Sequence, residues 1–334
     1  MRVGLYVDGA LLFGSSESVR KLILEIKSRF DIKDMGPLTP TTPFKFLGME
    51  IERKVGQPHG IVMKQERYAK LVLSRFGMED CKPGATPMAV GTKLDHEGDE
   101  LPEENRYQAI VGSLLYLAVK TRPDIAYAVG VLSRFMSCPR QPHMQAAKRL
   151  LRYVSRHPGA GIFFRGRSFS ENRPPMFSCR LYSDADYAAD PVMRKSTSGM
   201  LLTVNGAPVT WKSKLQSVVA LSTCELEFVA AAAAVREGLW FRKLFLAVSG
   251  KHEAMQLFCD SESALSLMQS TATKISGRTK HIGVQFWFVL NHIMKGDVVP
   301  KFVRSEEMLA GGFTKPYAGP AIEENMHRIG MCIP

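Results

Sequence analysis

The sequence predicts an α/β protein built on a mixed sheet, and three observations predict it. Strand-type apolar runs follow one another at 177–183, 199–204 and 208–213. A single long helical pattern over 223–248 comes next. Beyond it strand and helix alternate: strands at 255–259 and 298–304, helices at 261–269, 281–295 and 305–313. Consecutive strands, a helix and then alternating elements are the pattern of a mixed sheet covered by helices.

The elements before this region are read in order. Apolar residues flank Asp8-Gly9, which marks a two-residue β-hairpin joining 3–7 to 10–13. Val19, Leu22, Ile23, Ile26 and Phe30 recur at helical spacing, so 16–30 is expected to be a helix. A strand is expected at 44–52 and a short helix at 65–76, ending at Gly77. The stretch 81–102, rich in Pro, Gly and charge, reads as a linker or extended loop. Three helices follow at 104–120, 123–136 and 144–157, with Pro123 and Pro142 near helix starts, where a missing N–H costs little. In the later region Ser222 and Glu225 are spaced as a capping box at the start of the long helix. The sequence contains no internal repeat and no low-complexity tract.

With 334 residues, 45% of them hydrophobic and 23% charged, the chain can bury more than one sizeable core. No apolar run approaches the roughly 18–20 residues of a membrane span, and the N-terminus lacks the pattern of a secretory signal. Six cysteines are scattered without zinc-ligand spacing, which points to reduced thiols in an intracellular protein, cytoplasmic or nuclear, with no membrane partner. The formal net charge of +12 favours polyanionic partners.

The chemistry is carried by carboxylates. The run Leu181-Tyr182-Ser183-Asp184-Ala185-Asp186 is an apolar strand that ends in acids, and Leu257-Phe258-Cys259-Asp260 ends the same way. Glu227 lies on the long helix between them. Acids at the ends of buried strands, faced by an acid on a helix, suit a divalent-metal phosphodiester site. Asp186 rivals Asp184, because it shares the same strand face, and Glu225 rivals Glu227. Glu225 already fits the cap.

Several phrases, in order, resemble the polymerase polyprotein of copia-type LTR retrotransposons. They include Tyr6-Val7-Asp8, Phe46-Leu47-Gly48, Val111-Gly112-Ser113-Leu114-Leu115-Tyr116 and Thr121-Arg122-Pro123-Asp124-Ile125. Further along stand Arg194-Lys195-Ser196-Thr197-Ser198-Gly199, Trp211-Lys212-Ser213-Lys214, Arg278-Thr279-Lys280-His281-Ile282 and Phe313-Thr314-Lys315-Pro316. The resemblance implies an α+β reverse-transcriptase remnant (palm end, thumb and connection) followed by an RNase H-like domain, a mixed five-stranded sheet with flanking helices. The expected division is a palm-end and thumb remnant at 1–85, a connection-like helical region at 86–170 and the RNase H-like domain at 171–334.

The family's palm hairpin carries paired acids; here Asp8 is followed by Gly9, and the upstream catalytic strand is expected to be missing, so polymerase activity is expected to be lost. Asp184, Glu227 and Asp260 match the first three acids of the family's nuclease site, which implies magnesium, or manganese in its place, and cleavage of the RNA strand of RNA–DNA hybrids. The alternatives are a non-catalytic nucleic-acid-binding protein and an inert relic. Arg278, Lys280 and His281 are expected to contact the nucleic-acid backbone, and a longer Pol polypeptide is a further expected partner. Gly311 stands where the family carries its fourth acid, and Glu306 and Glu307, one turn earlier, are the nearest substitutes. Gly283 also replaces an expected acid, and one A-to-G change converts an Asp codon to Gly.

Overall fold

The computed structural model describes residues 1–39, 41–57, 60–102, 104–166, 178–187, 190–250, 253–270 and 283–333. The first elements are β1 (Arg2–Tyr6), β2 (Gly9–Phe13), α1 (Ser16–Lys27), β3 (Phe44–Phe46), β4 (Met49–Arg53), β5 (Ile61–Lys64) and α2 (Glu66–Arg75). A helical layer follows: α3 (Glu104–Lys120), a 3-10 turn at Pro123–Ile125, α4 (Ala126–Ser133) and α5 (Gln141–Arg156). Then come β6 (Gly161–Phe164), β7 (Cys179–Asp186), β8 (Thr197–Val204), β9 (Ala207–Leu215), α6 (Thr223–Ser249), β10 (Met255–Cys259) and α7 (Glu262–Met268). The chain continues through α8 (Gly283–Met294), β11 (Val298–Phe302), 3-10 turns at Ser305–Glu307 and Gly311–Phe313, α9 (Gly319–Arg328) and β12 (Met331–Cys332).

The expected N-terminal hairpin forms, with one shift. Tyr6 pairs with Gly9, so Val7 and Asp8 make the turn and Gly9 is already strand. Val7 takes the positive φ (53°) that the Asp-Gly signal assigned to later residues. Ser15 caps α1 by accepting a hydrogen bond from the Ser18 N–H at 3.3 Å, yet no residue of α1 is buried.

The single strand expected at 44–52 is two strands. Leu47 and Gly48 both have positive φ (51° and 77°), which fits a tight primed turn between β3 and β4. The Tyr116 hydroxyl donates to the Leu47 carbonyl at 3.2 Å and tethers this turn to α3. These strands belong to an antiparallel sheet of order β12-β6-β5-β4-β3. Its partners lie far apart in sequence: Met63 faces Ile162, which in turn faces Met331. The sequence signals missed β5, β6, α9 and β12.

The second five-stranded sheet has the order β11-β10-β7-β8-β9. β7, β8 and β9 are antiparallel, and β10 and β11 run parallel to β7, giving the mixed sheet of the RNase H-like fold. α6 lies on this sheet. Its Phe228, Ala231 and Val235 share a buried apolar cluster with Leu181, Leu202 and Leu257. Ser222 Oγ accepts from the Glu225 N–H at 3.3 Å, and the Glu225 carboxylate accepts from the Leu221 N–H at 2.8 Å, so the start of α6 is capped as expected. At the other end Gly250 closes the helix with φ 70°.

A second core joins the helical layer to the opposite side of this sheet. Tyr107, Leu114, Leu117, Leu132 and Leu150 cluster with Tyr182, Leu201 and Phe313, all buried. The Trp211 indole N–H donates to the Ala118 carbonyl at 2.8 Å across the same junction. Within this core lies the ion pair of the Thr-Arg-Pro-Asp phrase. Arg122 Nε lies 2.9 Å from Asp124 Oδ1, and Nη2 lies 2.7 Å from Oδ2. The helix expected at 305–313 is replaced by the two 3-10 turns, which lay the segment against the sheet. All six cysteines are free, and among the described residues no helix is long and apolar enough to cross a membrane.

Candidate metal centre

The site is built where β7, β10 and α6 meet. Asp184 sits near the C-terminal end of β7, 7% exposed, and pairs across the ladder with Gly199 of β8. A Cβ at Gly199 would lie 2.8 Å from both the Ala310 carbonyl oxygen and Thr314 Cγ2. Only a glycine there lets the 310–314 segment rest on the sheet. That approach sets the Thr314 hydroxyl 2.5 Å from Asp184 Oδ2, to which it donates. Asp260 follows the last residue of β10 and accepts from the Ser305 hydroxyl at 2.8 Å. Glu227 projects from the first turns of α6, 8% exposed, and accepts a hydrogen bond from the Ala185 backbone N–H. Its Oε2 is buried without a hydrogen-bond partner.

The three acids share one electrostatic environment. Donor atoms of Glu227, Asp260 and Cys259 lie within 4.8 Å of one another, the one such group of His, Cys, Asp and Glu among the described residues. Burial first, then the charges of Asp184 and Asp260, push the Glu227 carboxyl up to about 9. Burial also raises Asp184, against the Thr314 hydrogen bond that lowers it. The Cys259 thiol is pushed up by burial to about 12 and stays protonated at neutral pH. It is the one soft donor of the group, beside two carboxylates. The remaining donors are oxygens, and the orphaned Glu227 oxygen is what a hard divalent cation would satisfy; magnesium and manganese fit this set.

The raised Glu227 group has a consequence for metal-free protein. Its folded-state value lies above the usual carboxylate value, so folding favours the protonated form. The associated stability is complete below about pH 4.5 and is lost as pH rises toward about 9. In EDTA, urea unfolding of the native chain should lose more stability between these limits than that of the Glu227→Gln variant. Equal pH dependence in the two proteins would show that Glu227 is not held protonated.

A cavity of about 300 Å³ opens beside the acids, with Asp184, Asp260, Gly311, Lys315 and Tyr317 in its wall. Gly311 occupies the fourth corner. A Cβ there would lie 3.9 Å from Asp184 Oδ2 but only 2.6 Å from the Tyr317 hydroxyl. The tyrosine therefore fills the space that a side chain at Gly311 would need. Glu306 also lines the cavity, and Glu307 does not.

Asp186 lies two residues beyond Asp184 and, like Glu227, does not line the cavity; its carboxyl accepts from the Tyr187 N–H. Glu225 is spent on the α6 cap. Asp8 is exposed at the hairpin tip, away from the acid group. Arg278, Lys280 and His281 lie outside the described residues. Thr314, Ser305 and Tyr317, which orient or crowd the acids, were not singled out by sequence reasoning. The phrase Phe313-Thr314-Lys315-Pro316 was the one signal for the first of them.

Residues 1–90 match a family model described as reverse transcriptase (RNA-dependent DNA polymerase). The retrovirus-related Pol polyprotein from transposon TNT 1-94 of Nicotiana tabacum is 38% identical over 294 residues, 85% of this chain and 21% of that protein. A putative transposon Ty5-1 protein of Saccharomyces cerevisiae is 31% identical over 238 residues, 70% of this chain and 73% of that protein. Among solved structures, LC11-RNase H1 aligns with 97% of its length on 44% of this chain, at 16% identity and a TM-score of 0.33. The chain spans about a fifth (21%) of the length of the first curated relatives it matches. With phrases that resemble the family's running from the Tyr6-Val7-Asp8 hairpin to Thr314-Lys315, and with relatives of this kind matched over most of its length, the chain belongs to the Pol family of copia-type LTR retrotransposons.

Proposed function

We propose that the chain acts as a divalent-metal-dependent endonuclease on the RNA strand of RNA–DNA hybrids and has no polymerase activity. The observation that carries this reading is the closeness of Glu227 and Asp260 around a buried, unpartnered Glu227 oxygen, with Asp184 near enough for its charge to raise the Glu227 carboxyl. Magnesium, or manganese, held by these three acids would activate water and stabilise the leaving oxygen. Asp184 is oriented by Thr314, Asp260 by Ser305 and Glu227 by the Ala185 N–H, so the acids are fixed before metal arrives. A divalent cation held there would take the ionised form of Glu227, which burial disfavours in its absence. At the hairpin, Gly9 leaves Asp8 as a lone exposed acid, which supports loss of polymerase chemistry because two-metal transfer needs bridging carboxylates.

In this reading the chain divides into a palm-end and thumb part (1–85), a helical connection (86–170) and the nuclease part (171–334), with β12 returning to pair with β6. The exposed side chains of β1 and β2 fit contact with a longer Pol polypeptide. Tyr317 at the fourth corner favours a second reading, a hybrid-binding protein that does not cut.

A labelled RNA–DNA hybrid with magnesium separates the two. Cleavage by the native chain that falls by roughly 10²–10³-fold in Asp260→Asn, several kcal/mol of lost metal stabilisation, supports the nuclease. Tight hybrid binding without cleavage supports the second reading. Cleavage undiminished in Asp260→Asn sinks the site assignment.

A further inference from the structure

A second cavity lies at the C-terminal end of α9, at the seam between the two five-stranded sheets. Its volume is about 350 Å³. Lys54 comes from the end of β4, Arg165 follows β6, and His327 and Arg328 end α9. The turn between β8 and β9, at Asn205 and Gly206, closes the other wall. Among the described residues no Asp or Glu lines it. Lys54 is held in place, with Nζ 4.8 Å from the centre of the Phe163 ring and 3.0 Å from Cys332 Sγ. Arg165, His327 and Arg328 are exposed.

Arg328 lines this cavity and the acid cavity alike. The two therefore meet at Arg328, at the C-terminal end of α9, with acids in one cavity and Lys54, Arg165 and His327 in the other. A metal centre needs its phosphodiester held at the acid end, and the strand that continues from it needs phosphate contacts further along. Side chains of Arg and Lys on a polymer backbone supply such contacts without reading sequence. A mononucleotide or free phosphate would use one end only.

We propose that the Lys54–Arg165–His327–Arg328 cleft binds the sugar–phosphate backbone of a nucleic-acid strand that runs from the acid site across Arg328. The proposal rests on the nucleic-acid reading above and adds the subsite. It places backbone-positioning contacts on the C-terminal helix and the antiparallel sheet, so both halves of the molecule hold one ligand.

The test is binding of a fluorescein-labelled RNA–DNA hybrid, followed by anisotropy in EDTA so that cleavage plays no part. The full chain is compared with Arg165→Gln/Arg328→Gln and with a control, Arg2→Gln/Arg20→Gln, that removes equal charge from the N-terminal hairpin and α1. The cleft variant should bind at least about tenfold more weakly at physiological salt, and its plot of log affinity against log salt should flatten by about 2, near 0.9 per lost phosphate contact. The control should match the native chain. If the hybrid binds natively and the cleft variant is unchanged, or if the control weakens equally, the cleft proposal fails while the nucleic-acid reading stands. If millimolar inorganic phosphate displaces the hybrid fully, the site takes a free anion and not a strand. No hybrid binding by the native chain overturns both.

Discussion

Restoring the fourth acid by Gly311→Asp should raise magnesium-dependent cleavage of a hybrid only modestly, and combining it with Tyr317→Phe should raise it by roughly 10²-fold. The reason is steric. The new Cβ would sit 2.6 Å from the Tyr317 hydroxyl, so the single variant must first displace the ring end from the cavity wall. Removing that oxygen leaves the nearest ring atom, Cζ, at 3.8 Å, an ordinary contact distance. The backbone offers no obstacle, because Gly311 does not have a positive φ. The same Cβ lies 3.9 Å from Asp184 Oδ2, so the restored carboxylate would stand beside Asp184, where it would help hold a divalent cation. A fourth oxygen ligand that strengthens charge stabilisation by a few kcal/mol corresponds to about two decades of rate. Cleavage rates and the magnesium concentration for half-maximal rate report the result. If the double variant neither cuts faster nor binds metal more tightly, the Gly311 corner is not part of the metal centre.

How far this site could be read from the sequence depended on whether a role was local. Asp184, Glu227 and Asp260 each end or face a strongly patterned element, so they were legible together with β10 and α6. The Ser222 and Glu225 cap was legible because its two hydrogen bonds lie within one turn. Thr314 was not, since its hydroxyl meets Asp184 only when Gly199 admits the 310–314 segment onto the sheet. Tyr317 was missed for the same reason. In the antiparallel sheet, β5, β6 and β12 have four, four and two residues. Runs so short carry no period, and their partners lie elsewhere in the chain. The expected helix at 305–313 breaks at Met308, whose backbone is extended, and the chain resumes as a 3-10 turn at Gly311–Phe313 just before Thr314. In the Thr-Arg-Pro-Asp phrase the letters were visible, but the burial of both charges was not.

That buried pair sets the largest expected loss of stability. Arg122 and Asp124 are both buried, and every charged nitrogen of the guanidinium has a partner in the core: Nε and Nη2 meet Asp124, and Nη1 donates to the His157 carbonyl at 2.9 Å. The Tyr153 hydroxyl donates to Asp124 Oδ2 at 2.9 Å. Asp124→Asn would keep the shape and remove the charge, leaving a cation in the core without its counter-ion. The expected cost is about 3–5 kcal/mol, since an uncompensated buried charge outweighs the net worth of the pair. For a protein of this size that lowers the calorimetric midpoint by on the order of 10 °C. Tyr153→Phe removes one hydrogen bond and keeps the ion pair, so its cost should be nearer 1 kcal/mol. Replacing both charges, Arg122→Met with Asp124→Leu, should recover most of the loss, because desolvation of the pair offsets much of its attraction. The effect should reach the acids as well. Tyr153 also contacts Met326 of α9 at 3.1 Å, and α9 supplies Asn325 and Arg328 to the wall of the acid cavity. Asp124→Asn should therefore weaken hybrid binding at temperatures where the chain is still folded, while the double apolar variant restores both midpoint and binding. An unchanged midpoint in Asp124→Asn would show that the pair does not hold the core. A lowered midpoint with native binding would show that the core and the cavity wall are uncoupled.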